Sequence, residues 1–269
     1  MPETGAFADA PGALWPLFAL ALGLLIGSFA NVCIHRLPLR ESVVSPRSRC
    51  PSCHVPIAAF DNVPVFSYLF LKGRCRHCGA RISLRYPAVE LANGLLYLAV
   101  ALWWGPTPTS AVNMVFVTAL LILTLIDLDI QELPDVITLP GICLGIVASA
   151  LLGSWRAALV SALTAFSAYA SFGLFGKAWE FLRKEEALGQ GDWKLVAMIG
   201  AFLGWRSLIV TIFVASFVGS ILGITLMVTR GASSKTKLPF GSFLAPSAIG
   251  ALFAGDVLWS WYARAAGWQ

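Results

Sequence analysis

Long apolar runs broken by short polar joints set the pattern of this chain. A helix that crosses a membrane takes about 20 mostly apolar residues. Such runs occupy roughly 12–32, 88–104, 111–126, 136–152, 157–175, 195–205, 208–228 and 243–262. The pattern predicts eight crossings, the sixth of them short for a full span. Glu3 and Asp9 precede the first run and no Lys or Arg does. That is the wrong flank for a cleaved secretory signal, so the run reads as a retained span. One long polar stretch, 34–86, separates the first two runs. The fold class expected is an all-α polytopic membrane protein of about eight transmembrane helices, with a small cytoplasmic domain inserted between the first two.

Composition sharpens this. Of 269 residues, 58% are hydrophobic and only 12% charged, about half the charge of an average soluble domain. A soluble enzyme, a disordered chain and a collagen-like fibre are all excluded on those grounds. Charge also suggests an orientation. With the N-terminus outside, the inner segments 34–86, 127–135, 177–194 and 230–237 carry 16 Lys and Arg, against Arg156, Arg206 and Arg264 outside. This positive-inside bias puts both termini outside and segment 34–86 in the cytoplasm. The basic balance then needs no nucleic acid to explain it. Anionic lipid headgroups are a natural neighbour for the basic segment. Trp103, Trp104, Trp205, Trp259 and Trp261 read as an outer aromatic belt.

Segment 34–86 holds Cys50-Pro-Ser-Cys53 and, after 21 intervening residues, Cys75-Arg-His-Cys78. Two C-x-x-C pairs at this spacing read as a structural zinc site with four thiolate ligands. Disulfides are the alternative, and a reducing cytoplasm argues against them. Cys50 to His54 also fits a c-type haem attachment pattern, but the second pair has no following His. His54 and His77 are expected at the solvent or beside the ligands, and Cys33 and Cys143 in packing.

Ionisable residues at or inside spans mark function by default. Asp127 and Asp129 end the third run, with Glu132, Pro134 and Asp135 just beyond it; Gly189-Gln-Gly191-Asp192 opens the sixth. By the topology above, both groups reach the cytoplasmic boundary. Two adjacent carboxyls can share a proton, one taking a proton from water while the other gives one to a carbonyl oxygen. That is the chemistry of peptide-bond hydrolysis. The three His residues all lie in 34–86, and no H-E-x-x-H occurs. Each Asp has an ordinary alternative: an interfacial residue, or for Asp192 a helix N-cap. Asp129 and Asp135 read as loop acids, with Asp135 a candidate cap for the fourth span. Asp256 and Glu90 receive no role. The glycines allow a tight turn and close backbone approach to an extended substrate.

The ordered motifs resemble one family. Gly27-Ser-Phe-Ala-Asn31-Val-Cys-Ile-His-Arg36-Leu-Pro38, the twin C-x-x-C pairs, Arg85-Tyr86-Pro87 with Glu90-Leu91, Asp127 seven positions before Pro134, Gly189 to Asp192, and Pro239-Phe-Gly241-Ser-Phe243-Leu-Ala245 are similar to the signatures of bacterial type IV prepilin peptidases. These also process the pseudopilins of type II secretion. The resemblance spans nearly the whole chain. It implies an aspartic endopeptidase with Asp127 and Asp192 as the dyad and Pro134, Gly189 and Gly191 as supporting motif. It implies zinc on Cys50, Cys53, Cys75 and Cys78. The substrates implied are prepilins and pseudopilins, cleaved after a Gly at the cytoplasmic face of the bacterial inner membrane. Many members then methylate the new N-terminal amine with S-adenosylmethionine, and this second activity rests on resemblance alone. The organisation expected is residues 1–33 as an N-terminal membrane helix, 34–86 as the zinc domain and 87–269 as the membrane peptidase domain. Two other readings compete: a proton-relaying transporter, whose acids should sit mid-membrane between repeated halves, and a membrane-anchored zinc module that binds partners or nucleic acid.

Overall fold

A computed structural model describes residues 10–184, 189–230 and 239–267. They form eight α-helices: α1 (Ala10–Arg36), α2 (Phe66–Phe70), α3 (Arg85–Trp104), α4 (Pro108–Ile130), α5 (Asp135–Leu152), α6 (Trp155–Arg183), α7 (Gln190–Arg230) and α8 (Gly241–Ala265). Among the described residues, all except α2 are long and apolar enough to cross a membrane. The chain is an all-α, multi-pass membrane protein with its four clustered cysteines between the first two spans. It divides into two compact units that meet within α4, one up to Thr118 and one from Ala119.

In the first unit α1 and α3 pack antiparallel through small residues. A Cβ on Gly23 would stand 2.7 Å from the Tyr97 Cβ, and one on Gly27 2.8 Å from the Glu90 Cα. Small residues four apart on a membrane helix let two backbones approach this closely. A buried polar set fastens the seam. Asn93 Nδ2 donates to the Gly23 carbonyl at 2.7 Å, and Thr118 Oγ1 donates to Asn93 Oδ1 at 2.9 Å.

In the second unit α7 is broken at Gly204, whose φ of 71° and ψ of 173° belong to a region open essentially to glycine alone. A Cβ on Gly200 would meet the Leu208 side chain at 3.2 Å. In a straight helix, residues eight apart are about 12 Å distant along the axis. The chain therefore turns back at Gly204, and the two halves of α7 are two passes. This accounts for the eight apolar runs against seven long helices. The first half, 190–203, is about 21 Å long, short of a roughly 30 Å hydrocarbon core.

The pairings give the directions. Gly141 and Gly145 of α5 lie against Met198 and Ala201, so α5 runs parallel to the first half of α7. Gly173 and Gly176 of α6 lie against Trp193, while Ser161 Oγ donates to the Ala201 carbonyl at 2.7 Å, so α6 runs the other way. Gly219 and Gly255 mark where α8 returns along the second half, against Phe243 and Ser207. The end of α4 and the starts of α5, α7 and α8 thus gather at one end of this unit. Trp205 and Trp259 meet edge-on at the other end, ring centroids 4.9 Å apart.

Candidate active site and metal centre

The gathered end brings together the carboxylates that the sequence places apart. Asp127 sits in the last turn of α4 and is only 4% exposed. Its Oδ2 accepts the backbone N–H of Ser242, in the first turn of α8, at 2.6 Å. The Ser242 hydroxyl turns away and donates to the Pro239 carbonyl at 2.7 Å. α8 comes this near because residue 241 is Gly: a Cβ there would lie 3.0 Å from Asp127 Oδ2. Leu133, in the joint after α4, wedges between Gly241 and Gly191. A Cβ on Gly191 would stand 2.9 Å from the Leu133 Cβ.

Asp192 sits in the first turn of α7, half-buried. Its Oδ2 accepts the Gly189 N–H at 3.2 Å, and its own N–H donates to the Gly189 carbonyl at 3.0 Å. This is the reach-back half of a capping box, with Gly189 at the cap. The cap is therefore Gly189, not Asp192. Asp127 and Asp192 share this end through Leu133, which touches both Gly241, beside Asp127, and Gly191, the residue before Asp192. Pro134 precedes α5 with φ −68° and ψ 127°, starting the helix after a sharp joint. Asp135 is the first residue of α5 and makes no side-chain cap; it pairs with Lys194 Nζ at 2.6 and 2.8 Å. Asp129 and Asp256 are exposed. The arrangement offers two carboxyls, each steadied by a backbone donor, at a helix-lined end of the unit.

The cysteine module lies in the first unit and is built from two equivalent loops. Cys50 N–H donates to the Val55 carbonyl at 3.0 Å and His54 N–H to the Cys50 carbonyl at 2.9 Å. Cys75 N–H donates to the Ala80 carbonyl at 2.9 Å and Gly79 N–H to the Cys75 carbonyl at 3.0 Å. Short bridges, Arg49 with Pro56 and Arg74 with Arg81, close the two loops. His54 and Gly79 occupy the same left-handed position, at φ 59° and 69°. His54 is thus the turn residue of its loop, exposed to solvent, which explains the haem-like pattern.

The four Sγ atoms lie within 4.8 Å of one another. Cys50 and Cys78 are 3.8 Å apart, and Cys53 and Cys75 4.0 Å. A tetrahedral ion with sulfur at about 2.3 Å requires sulfurs about 3.8 Å apart. The cluster therefore could hold a metal ion. The backbone N–H groups of Cys53 and Ser52 pull the Cys50 thiol down to about 6, toward the thiolate a metal needs, whereas Cys53, despite a bond from the Val55 backbone, is pushed up to about 11 by burial and the neighbouring thiols. Outside the cluster, Arg76 grips Asp61 in a bidentate pair, with contacts of 2.8 and 3.1 Å from Nε. That grip lowers the Asp61 carboxyl. Cys33 is buried in α1 and Cys143 exposed on α5.

Sequence reasoning missed the donors. The Ser242 N–H and the Leu133 wedge carry no side-chain signature; the close approach at Gly241, inside the last motif, shows only in the structure.

Residues 21–104 match the bacterial peptidase A24 N-terminal domain, and residues 114–224 match the type IV leader peptidase family. A prepilin leader peptidase/N-methyltransferase of Aeromonas salmonicida is 38% identical over 94% of this chain and 96% of its own. One of Pseudomonas aeruginosa is 39% identical over 94% and 95%, and one of Myxococcus xanthus 44% identical over 82% and 67%. No solved structure matches the chain.

Proposed function

Since the chain belongs to the prepilin leader peptidase/N-methyltransferase family, we propose that it cleaves the basic leader of type IV prepilins and pseudopilins after a Gly, using Asp127 and Asp192 directly on water. The observation that carries this is the convergence of the two carboxyls at one end of four helices, beside two close approaches, at Gly191 and Gly241, that both close on Leu133. One carboxylate takes a proton from the attacking water. The other, protonated, gives its proton to the scissile carbonyl oxygen, leaving a tetrahedral diol. Collapse of the diol passes a proton to the leaving amine, and the pair returns to one shared proton. The backbone donors keep both carboxyls aimed while charge moves, a preorganisation that water could not supply.

The orientation that fits is both termini outside and the cysteine module and carboxyls at the cytoplasmic face of a bacterial inner membrane, as the charge bias suggests. A substrate whose basic leader stays inside by the same rule would present its cleavage point at that face. Zinc is the ion that four thiolates at these spacings suit best, in a closed structural site. After cleavage, S-adenosylmethionine would supply a methyl group to the new N-terminal amine. Methylation is supported by family membership and by a cavity of about 420 Å³ between the end of α1 and the cysteine loops, walled by Asn31, Arg36, Asp61 and Tyr86 among others. That volume is in the range of small-molecule sites.

The test is cleavage of a purified prepilin by the detergent-solubilised protein with S-adenosylmethionine present, read by mass, beside Asp127→Asn and Asp192→Asn. A shortened product with the wild type and none with either folded variant is expected. A variant cleaving at the wild-type rate would remove that residue from the dyad. A methyl mass on the product settles the second activity in the same reaction.

A further inference from the structure

The segment Asn62–Leu71 leaves the cysteine module and enters the depth of the membrane helices. Its ten residues carry no charge, and seven of them are Val, Phe, Tyr or Leu. The Val65 N–H donates to Glu90 Oε2 at 2.7 Å. Glu90 lies five residues inside α3 from Arg85, about 7 Å along the helix. Its neighbour across the α1–α3 seam, Gly27, lies nine residues inside α1 from Arg36, about 13 Å. The bond to Glu90 therefore sets Val65 beside the first turns of α3, at the level where α1 and α3 are already packed together. From there α2 begins, and Phe66, Leu69 and Phe70 are 56%, 65% and 84% exposed. The spacing i, i+3, i+4 sets these three on one face of the turn. Tyr68 points the other way and donates to the Ile82 carbonyl at 3.3 Å.

Backbone at such a depth survives only if its polar groups are satisfied within the protein. Here they are. Val65 adopts φ 62° and ψ −50°, a tight turn in which the Phe66 N–H donates to the Pro64 carbonyl at 2.6 Å. A β-branched residue seldom holds this conformation. The Ser67 N–H donates to Val63 at 3.0 Å and the Leu69 N–H to Val65 at 3.1 Å. The Val65 N–H, which the turn leaves over, goes to the buried Glu90 carboxyl. This gives Glu90 its place in the molecule: it anchors the dip.

We propose that residues 62–71 form a re-entrant interfacial hairpin, with Phe66, Leu69 and Phe70 seated among lipid acyl chains just beneath the headgroups. The Arg76–Asp61 pair on one side and Lys72 on the other mark where the segment returns to the polar layer. The inference stands independently of the peptidase reading, because it uses only the spans and their depth.

The test places a fluorescent amino acid at position 70 by stop-codon suppression in the full chain, zinc-loaded, in nanodiscs of phosphatidylethanolamine and phosphatidylglycerol. Phe70 is so exposed that the probe displaces little packing. Arg47, exposed in the preceding loop, serves as the aqueous control. Expected is quenching at position 70 by a lipid spin-labelled near the headgroup, several-fold stronger than by iodide, with the reverse at position 47. Iodide quenching equal at both positions would overturn the proposal. Shielding of position 70 from both quenchers would overturn it too, since protein rather than lipid would then cover the face.

Discussion

Two neighbouring residues of α8 test how the Asp127 carboxyl is held. Its donor is the backbone of Ser242, not the hydroxyl. Ser242→Ala should leave prepilin cleavage close to wild type. Ser242→Pro removes the N–H and puts ring carbon where the hydrogen was, and should slow cleavage at least about tenfold, the effect of ~1.4 kcal/mol in the transition state. Equal rates in the two variants would show the donor to be dispensable. Gly191→Ala sets a methyl 2.9 Å from the Leu133 Cβ and should lose ~1–3 kcal/mol by overpacking. Leu133→Ala in the same chain should recover part of that loss. Additive effects in such a cycle would deny the wedge. In the cysteine module, His54 occupies a left-handed position that its twin loop fills with Gly79. His54→Gly should leave metal content unchanged and stability equal or higher by under ~1 kcal/mol.

The helices were legible because a span needs a run of apolar residues, and runs survive in a single sequence. Their ends were less so. α6 continues to Arg183, eight residues past the apolar run, since nothing in a polar helical tail marks its end. The turn in α7 was legible as a gap between a short run and a full-length one, but only φ and ψ at Gly204 reveal a reversal where hydrogen bonding alone suggests one helix of 41 residues. Gly204→Ala should destabilise the protein by ~1–3 kcal/mol, seen as a lower thermal unfolding midpoint in detergent, because alanine rarely adopts that conformation. An unchanged midpoint would mean that the turn tolerates a side chain. α2 escaped the sequence reading entirely. Five residues are too few for a periodic signal, and its depth comes from Glu90, 25 positions away from Val65. Paired acids and paired cysteines were visible because their chemistry depends on residue type. The contacts that arrange them are made by backbone atoms, which every residue shares.

At the scale of the molecule, metal and topology make separate demands. The purified chain should carry one zinc, lost in Cys53→Ser, and a strong chelator should lower the unfolding temperature, since metal binding to such a module is part of its folding free energy. Metal content unaffected by that substitution would set the four-thiolate site aside. With the two halves of α7 counted separately, the described residues make eight passes, and the proposed orientation puts Ala10 and Gly267 in one compartment. Alkaline phosphatase, active only outside the cytoplasm, should therefore be active when fused after Gln269 and inactive when inserted beside Gly79. The opposite result would invert the proposed orientation.

The bond from Ser242 to Asp127 joins residues 115 apart in sequence. A ribosome adds about 5–20 residues per second, so Asp127 is made on the order of ten seconds before the turn of α8 that secures it. Throughout that interval the nascent chain, already threaded into a membrane full of other newly made helices, lacks the last piece of its own site. On the proposed mechanism, hydrolytic competence then waits until the start of α8 has been made, and a chain terminated before that point lacks it.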